Sequence, residues 1–240
     1  MHLCPDLEDP EQTENMIKKA ASLGYRLVAI PLPSNYTKKM VLELRSICKE
    51  VKIDYISRVD LKPKTVEDLI KSLRKCRRRF EVIAVFCESK SIARQAAKDR
   101  RVDLINFPSL YFKKRFFDKA EAELASRSLT SFEIDINPLI ILDGKMRIRL
   151  LSRLNKEITI AQNSHVPIII SSGASDELYM RRPRDMGALA SLFTLDKNSA
   201  SNAISRNPLN IIQRNREKLS SKFVAPGISI IRKGRVAEKK

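Results

Sequence analysis

The residues able to carry acid, base or metal chemistry are few. There are two histidines, His2 and His165, and four cysteines, Cys4, Cys48, Cys76 and Cys87. No Cys-x-x-Cys pair occurs, and no histidine stands at zinc-ligand spacing from a cysteine, so neither a dithiol motif nor a structural zinc site is expected. A multinuclear hydrolytic metal centre takes several imidazoles together with carboxylates, which this chain does not supply. Asp60 and Asp135 are acid–base candidates at predicted strand ends, alongside Glu88, Asn106 and Asn137, but no nucleophile, histidine partner or metal set is evident beside them. The run Ser171-Ser172-Gly173-Ala174 offers backbone amides to a phosphate, although a tight turn accounts for the same residues. A hydrolase or isomerase acting on a small phosphorylated substrate, metal-dependent or not, is therefore the alternative reading.

Basic residues are far more prominent. Lys and Arg number 46 against 28 Asp and Glu, a formal net charge of +18. Coulomb attraction and counterion release draw such a chain to polyanions, nucleic acid first and acidic membrane second. Lys71, Arg74, Lys75, Arg77, Arg78 and Arg79 crowd one predicted helix end, more charge than a helix dipole of about half a unit asks for. Arg94, Lys98, Arg100 and Arg101 follow on the next unit. Lys113, Lys114 and Arg115 alternate with Tyr111, Phe112, Phe116 and Phe117 as a single-strand stacking surface does; a buried aromatic cluster reads equally well. Lys145, Arg149, Arg153 and Lys156 form one helical stripe opposite Leu150, Leu151, Leu154 and Ile158. Arg181, Arg182 and Arg184 bracket Pro183, a rigid guanidinium cluster suited to phosphate or to pairing with Asp176, Glu177 or Asp185. Each stripe taken alone also reads as a solvated face.

The elements that must position these residues alternate along the chain. Strands are predicted at 26–32, 53–59, 80–87, 102–107, 131–136 and 166–171, with an irregular one near His2 to Leu7. Helical spacing fills 13–23, 37–51, 65–79, 89–100, 116–127, 145–163 and 183–193. Strict alternation without a linker predicts an α/β fold: a TIM-barrel-like (β/α) barrel of seven to eight parallel strands in one domain, residues 1–231. Extra helices at 196–205 and 208–220 and a short apolar segment at 227–231 predict irregular closure; residues 232–240 read as a basic tail, solvated or ordered by RNA. With 43% hydrophobic residues the chain can bury a core. Its acidic start is the wrong sign for a targeting peptide, and its apolar runs are far shorter than the roughly 18 residues of a membrane span, so a cytoplasmic protein is expected.

Several strings together resemble a known family. Phe132-Glu133-Ile134-Asp135-Ile136-Asn137-Pro138-Leu139, Val102-Asp103-Leu104-Ile105, Ile168-Ile169-Ile170-Ser171-Ser172-Gly173-Ala174, Arg181-Arg182-Pro183-Arg184-Asp185 and Ala203-Ile204-Ser205-Arg206-Asn207-Pro208 are similar, in order and spacing, to ribonuclease P protein component 3 of archaea and eukaryotes. The motif match spans about residues 80 to 216. The resemblance implies a barrel related to polymerase-and-histidinol-phosphatase-type metal hydrolases but without their metal centre. It implies a subunit that is non-catalytic alone and binds no cofactor itself, Mg2+ belonging to the RNA subunit that removes the 5′ leader from precursor tRNA. The implied partners are that RNA, precursor tRNA, ribonuclease P protein component 2 and the other protein subunits, with no membrane. By the resemblance, Arg94 and Arg181 match basic positions of the family, Arg184 belongs to the same motif as Arg181, and further basic positions fall at Lys113 and Arg127. With Arg149 and Arg153 of the cationic stripe, these seven are the RNA-binding candidates.

Overall fold

The computed structural model describes residues 1–230 except 34, 77, 110–113 and 226–227. Lys113, the preceding aromatic pair and the basic tail lie outside the described residues. Helix α1 (Pro10–Ser22) starts where Asp9 accepts from Gln12 N–H and Pro10 supplies a preset φ. The order then runs β1 (Leu27–Pro31), α2 (Lys38–Glu50), β2 (Asp54–Leu61), α3 (Val66–Cys76), β3 (Val82–Phe86), α4 (Lys90–Lys98), β4 (Leu104–Asn106) and α5 (Lys119–Ser128). Next come β5 (Ser131–Asp135), α6 (Asn137–Ile141), α7 (Gly144–Asn163), β6 (Ile168–Ser171), α8 (Pro183–Ala190), α9 (Lys197–Ile204), α10 (Arg206–Leu219) and the strands β7 (Phe223–Ala225) and β8 (Ile228–Ser229). Helix α5 begins three residues later than the spacing suggested, because Asp118 and Glu121 form a reciprocal capping box there.

Strands β1 to β6 pair in sequence order, all parallel, and curl into a TIM-barrel-like sheet. The sheet has six strands rather than seven to eight. Residues 2 and 3 supply what a further strand would: His2 bridges Ala29 of β1 and Leu3 bridges Ala174 beyond β6, both parallel. Leu3 N–H donates to Ala29 O at 3.0 Å, and Cys4 N–H to Ala174 O at 2.8 Å. Pro5 has no N–H to continue the ladder, and the Asp6 amide turns to Gln12 Oε1 instead. The segment is therefore a two-residue stave, and β7 and β8 form a separate antiparallel pair.

Side chains alternate across the sheet. Val28, Ile30, Val85, Ile105, Phe132, Ile134 and Ile170 pack under the helices in the main core. Ile56, Val82, Ala84, Leu104 and Ile169 face inward, where Ile211 and Ile212 of α10 plug the bore. The plug is pinned at the N-terminal strand ends: Asn215 Nδ2 donates to Glu81 O and Asp103 Oδ1, each at 2.8 Å, and Arg216 pairs with both Asp54 and Glu81. Inward polar side chains gather at the opposite, C-terminal mouth. Among the described residues no helix is long and apolar enough to cross a membrane.

The expected stacking surface around Arg115 is not formed by the residues described there. Phe117 is buried and stacks on Phe132, centroids 4.4 Å apart at 4°. Arg115 is buried beneath α7, both oxygens of Glu157 lying 3.1 Å from its Nε. The buried-cluster alternative describes these two side chains.

Candidate functional site

Four of the six strand-end candidates meet at the mouth of the barrel: Asp60, Asn106, Asp135 and Ser171. Glu88 instead pairs with Lys114 at the surface, 2.6 Å, and Asn137, at the start of α6, is buried with its N–H on Ser172 O and its side-chain Oδ1 unpaired among the described residues. Two charged residues come from one alternation deeper. Arg58, 1% exposed, donates Nη1 and Nη2 to the two oxygens of Glu133 at 2.6 and 2.7 Å, and its Nε to Asp60 Oδ1 at 2.6 Å. Asn106 Nδ2 reaches Glu133 Oε2 at 3.2 Å and Asp135 Oδ2 at 2.8 Å. Ser171 Oγ stands 3.0 Å from Glu133 Oε1 and 2.7 Å from Asp135 Oδ1, with one proton to donate to either.

A histidine partner, which the sequence did not reveal, comes from the N-terminal stave. His2 Nδ1 lies 3.2 Å from Asp135 Oδ1, and its Nε2 lies 3.2 Å from Cys4 Sγ and 3.7 Å from Asp60 Oδ2. The available signal was His2-Leu3-Cys4 itself: with Leu3 fully buried in the helix-facing core, strand alternation turns its two polar neighbours inward. Burial and Arg58 oppose a charged imidazole, but Cys4 and Asp135 outweigh them and hold the His2 pKa well above its ordinary value. Burial likewise opposes the Asp135 carboxylate, yet His2, Arg58 and Ser171 keep its pKa well below the usual range.

Since the folded protein holds the His2 proton more tightly than the unfolded chain does, this pair's stabilisation is complete below about pH 6.5 and fades as pH rises through the folded value. His2→Gln is expected to lower the urea midpoint most near pH 6 and progressively less toward pH 9. A deficit that instead grows with pH would contradict a protonated His2.

One donor each from His2, Glu133 and Asp135 falls within 4.8 Å of the others, the raw material of a metal site. The residues do not fit an ion as arranged. Every oxygen of the two carboxylates already accepts a hydrogen bond or faces His2, and a dication would sit against the fixed guanidinium of Arg58. The phosphate-cradle reading of the Ser-Ser-Gly loop also loses an amide, because Gly173 N–H donates to His2 O at 3.1 Å. Gly173 is there for close approach: at φ +60 a Cβ would stand 2.8 Å from the Asp135 carboxyl carbon.

The cationic candidates divide by whether the fold already engages them. Half-exposed Arg94 on α4 places Nε 3.2 Å from the buried Glu121. Arg153 on α7 gives Nε to Glu157 at 3.1 Å and Nη2 to Arg115 O at 2.7 Å, so it is partly a structural cation. Arg181 Nη1 is held by the carbonyls of Leu178 and Met180, at 2.7 and 3.0 Å. Arg127 on α5, Arg149 on α7 and Arg184 on α8 are exposed, with no ion pair among the described residues. Because α4 packs on α5 and α5 on α7, Arg94, Arg127, Arg149 and Arg153 share one run of neighbouring outer helices; Arg181 and Arg184 lie apart at α8.

Residues 2–220 match the family described as RNase P subunit p30. The chain belongs to that family. Relatives of the p30 subunit in this chain's sequence neighbourhood carry the name ribonuclease P protein component 3. That of Methanosarcina barkeri is 27% identical over 234 residues, covering 98% of this chain and 95% of its own length. That of Methanosarcina acetivorans is 31% identical over 179 residues, 75% of this chain and 70% of its own. In structure, this p30 chain superposes with a TM-score of 0.85 on a chain of an archaeal ribonuclease P solved by cryo-electron microscopy with mature tRNA, covering 100% of both at 22% identity. A putative prolidase from Bifidobacterium longum shares the barrel more loosely, TM-score 0.57 at 10% identity, covering 89% of this chain and 68% of that one.

Proposed function

We infer that this chain is a protein subunit of ribonuclease P that assists the catalytic RNA in removing the 5′ leader from precursor tRNA and does not cleave RNA by itself. The observation that carries this reading is the family match across residues 2–220. Two features of the chain support it. Its +18 charge suits phosphate backbone, recognised by position and shape rather than by base edges. The acids at the barrel mouth are tied to Arg58, Asn106, Ser171 and His2, so neither a free general base nor an ion site is on offer. The divalent ions of the reaction are accordingly assigned to the RNA, and no cofactor to this chain. The partners proposed are the RNase P RNA, precursor tRNA, protein component 2 and the other protein subunits, in the cytoplasm.

The test is binding of the RNase P RNA at several salt concentrations, followed by reconstitution. Affinity is expected to fall by about a thousandfold or more between 50 and 200 mM salt if six or more phosphates are contacted. Arg94→Ala and Arg181→Ala are expected to lower the activity of the reconstituted particle. Unchanged activity in both, with salt-insensitive binding, would reduce the chain to a scaffold whose charge merely aids assembly.

A further inference from the structure

Three cations converge on a cavity of about 230 Å3 at the plugged, N-terminal end of the barrel: Arg78 from the turn after α3, Arg100 from the turn after α4, and Lys218 from the last turns of α10. Asp103 lies at the same cavity, with Phe223 of β7 on its apolar wall. The acid is already engaged. Asp103 Oδ1 accepts from Arg214 Nη2 and Asn215 Nδ2 at 2.8 Å each, and Oδ2 from Ile83 N–H at 3.0 Å. Arg101 on the rim is likewise held by Asp99, at 2.6 and 2.8 Å. Arg78, Arg100 and Lys218 have no acidic partner within salt-bridge distance among the described residues, so their charge faces the cavity uncompensated.

Arg78 and Arg100 are exposed and Lys218 is half-buried, so an anion entering the cavity can reach all three. Arg78 adopts φ +61, in the left-handed region that side chains with a Cβ seldom occupy. Burial, then the neighbouring Arg214, pull the Lys218 pKa below its ordinary value. Arg78 and Arg100 come from the two basic runs, 71–79 and 94–101, whose charge density exceeds what helix ends need. A cavity this small admits neither a duplex nor a folded segment. Guanidiniums suit phosphate oxygens, and an aromatic wall suits the face of a base that has left its stack.

We propose that this pocket receives one unstacked nucleotide of a single-stranded RNA segment, its phosphate on Arg78, Arg100 and Lys218 and its base against Phe223. The proposal rests on the RNA-binding reading above and names a site for it. The experiment is photo-crosslinking of the full chain to a single-stranded RNA oligonucleotide carrying 4-thiouridine, with peptide mapping and parallel affinity measurements across salt.

In the unaltered chain the crosslink is expected on the peptide containing Phe223. Arg78→Ala/Arg100→Ala/Lys218→Ala should lose it and make the slope of log affinity against log salt shallower by about 0.7, the value for one phosphate of a single strand. Phe223→Ala should weaken binding about tenfold with the slope retained, a separation that a purely structural role would not produce. If the unaltered chain binds the oligonucleotide but crosslinks elsewhere, and the triple variant keeps the original slope, the pocket proposal is overturned while the RNA-binding reading stands. If the chain binds neither this oligonucleotide nor RNase P RNA, that reading falls and the pocket with it. Competition by free uridine monophosphate as effective as by the oligonucleotide would make this a mononucleotide site and overturn the assignment to RNA strand.

Discussion

Replacing Arg58 with alanine is expected to destabilise the protein by about 3–5 kcal/mol, because it removes the partner of a buried charge and leaves that charge in place. Glu133 is 1% exposed and takes both of its strong donors from Arg58; Asp60 loses its partner in the same step. Against a total stability of about 5–15 kcal/mol for an ordinary domain, such a loss brings the fold near its threshold. Arg58→Lys should fall between alanine and the unaltered chain, since an ammonium cannot reproduce the two-pronged geometry on Glu133. Urea unfolding of the three proteins at constant pH is the measurement. An alanine variant within about 0.5 kcal/mol of the original, the range of ordinary surface changes, would contradict the view that Arg58 holds the barrel mouth together.

A comparable loss, about 3 kcal/mol or more, is expected for Arg115→Ala. Glu157 would remain buried under α7 with only Arg153, whose side chain is 41% exposed, and the Phe107 carbonyl would lose a donor at 3.0 Å. Adding Glu157→Gln to Arg115→Ala removes the stranded charge, so the double variant should lose less than the sum of the single ones, a positive coupling that a double-mutant cycle detects. Strict additivity would mean that the pair is not a unit. Arg153 also donates to the backbone carbonyl of Arg115, so this contact ties residue 115 to the cationic stripe of α7 and survives the alanine substitution.

The βα alternation was legible because the strands are short apolar runs between capped helices. The 80–87 expectation contains the observed Val82–Phe86, and 131–136 contains Ser131–Asp135. Residues 102–107 overran: Asp103 keeps backbone hydrogen bonds to Ile83 and Ser131, but it is its side chain that takes the Ile83 N–H and holds α10, and only Leu104–Asn106 is regular strand. At the mouth, Asp60, Asn106, Asp135 and Ser171 could be found by counting to strand ends. Arg58 and Glu133 could not, because they occupy inward positions where a bore is normally apolar. Their trace is the i, i+2 charge pair inside an apolar run, Arg58-x-Asp60 and Glu133-x-Asp135. Arg153 can be told from Arg149 by spacing, since its acid Glu157 stands four residues further along the same helix; the acid that engages Arg94, Glu121, arrives from another helix and leaves no such local signal.

The central claim is that the bond-breaking machinery lies in the RNA and that this barrel steadies it. Single-turnover cleavage of precursor tRNA, measured for the chain stripped of RNA and for the particle reconstituted with RNase P RNA and its protein partners, tests this directly. The account predicts 5′ leader removal only when the RNA is present. Cleavage by the RNA-free chain that disappears on Asp60→Asn would contradict it.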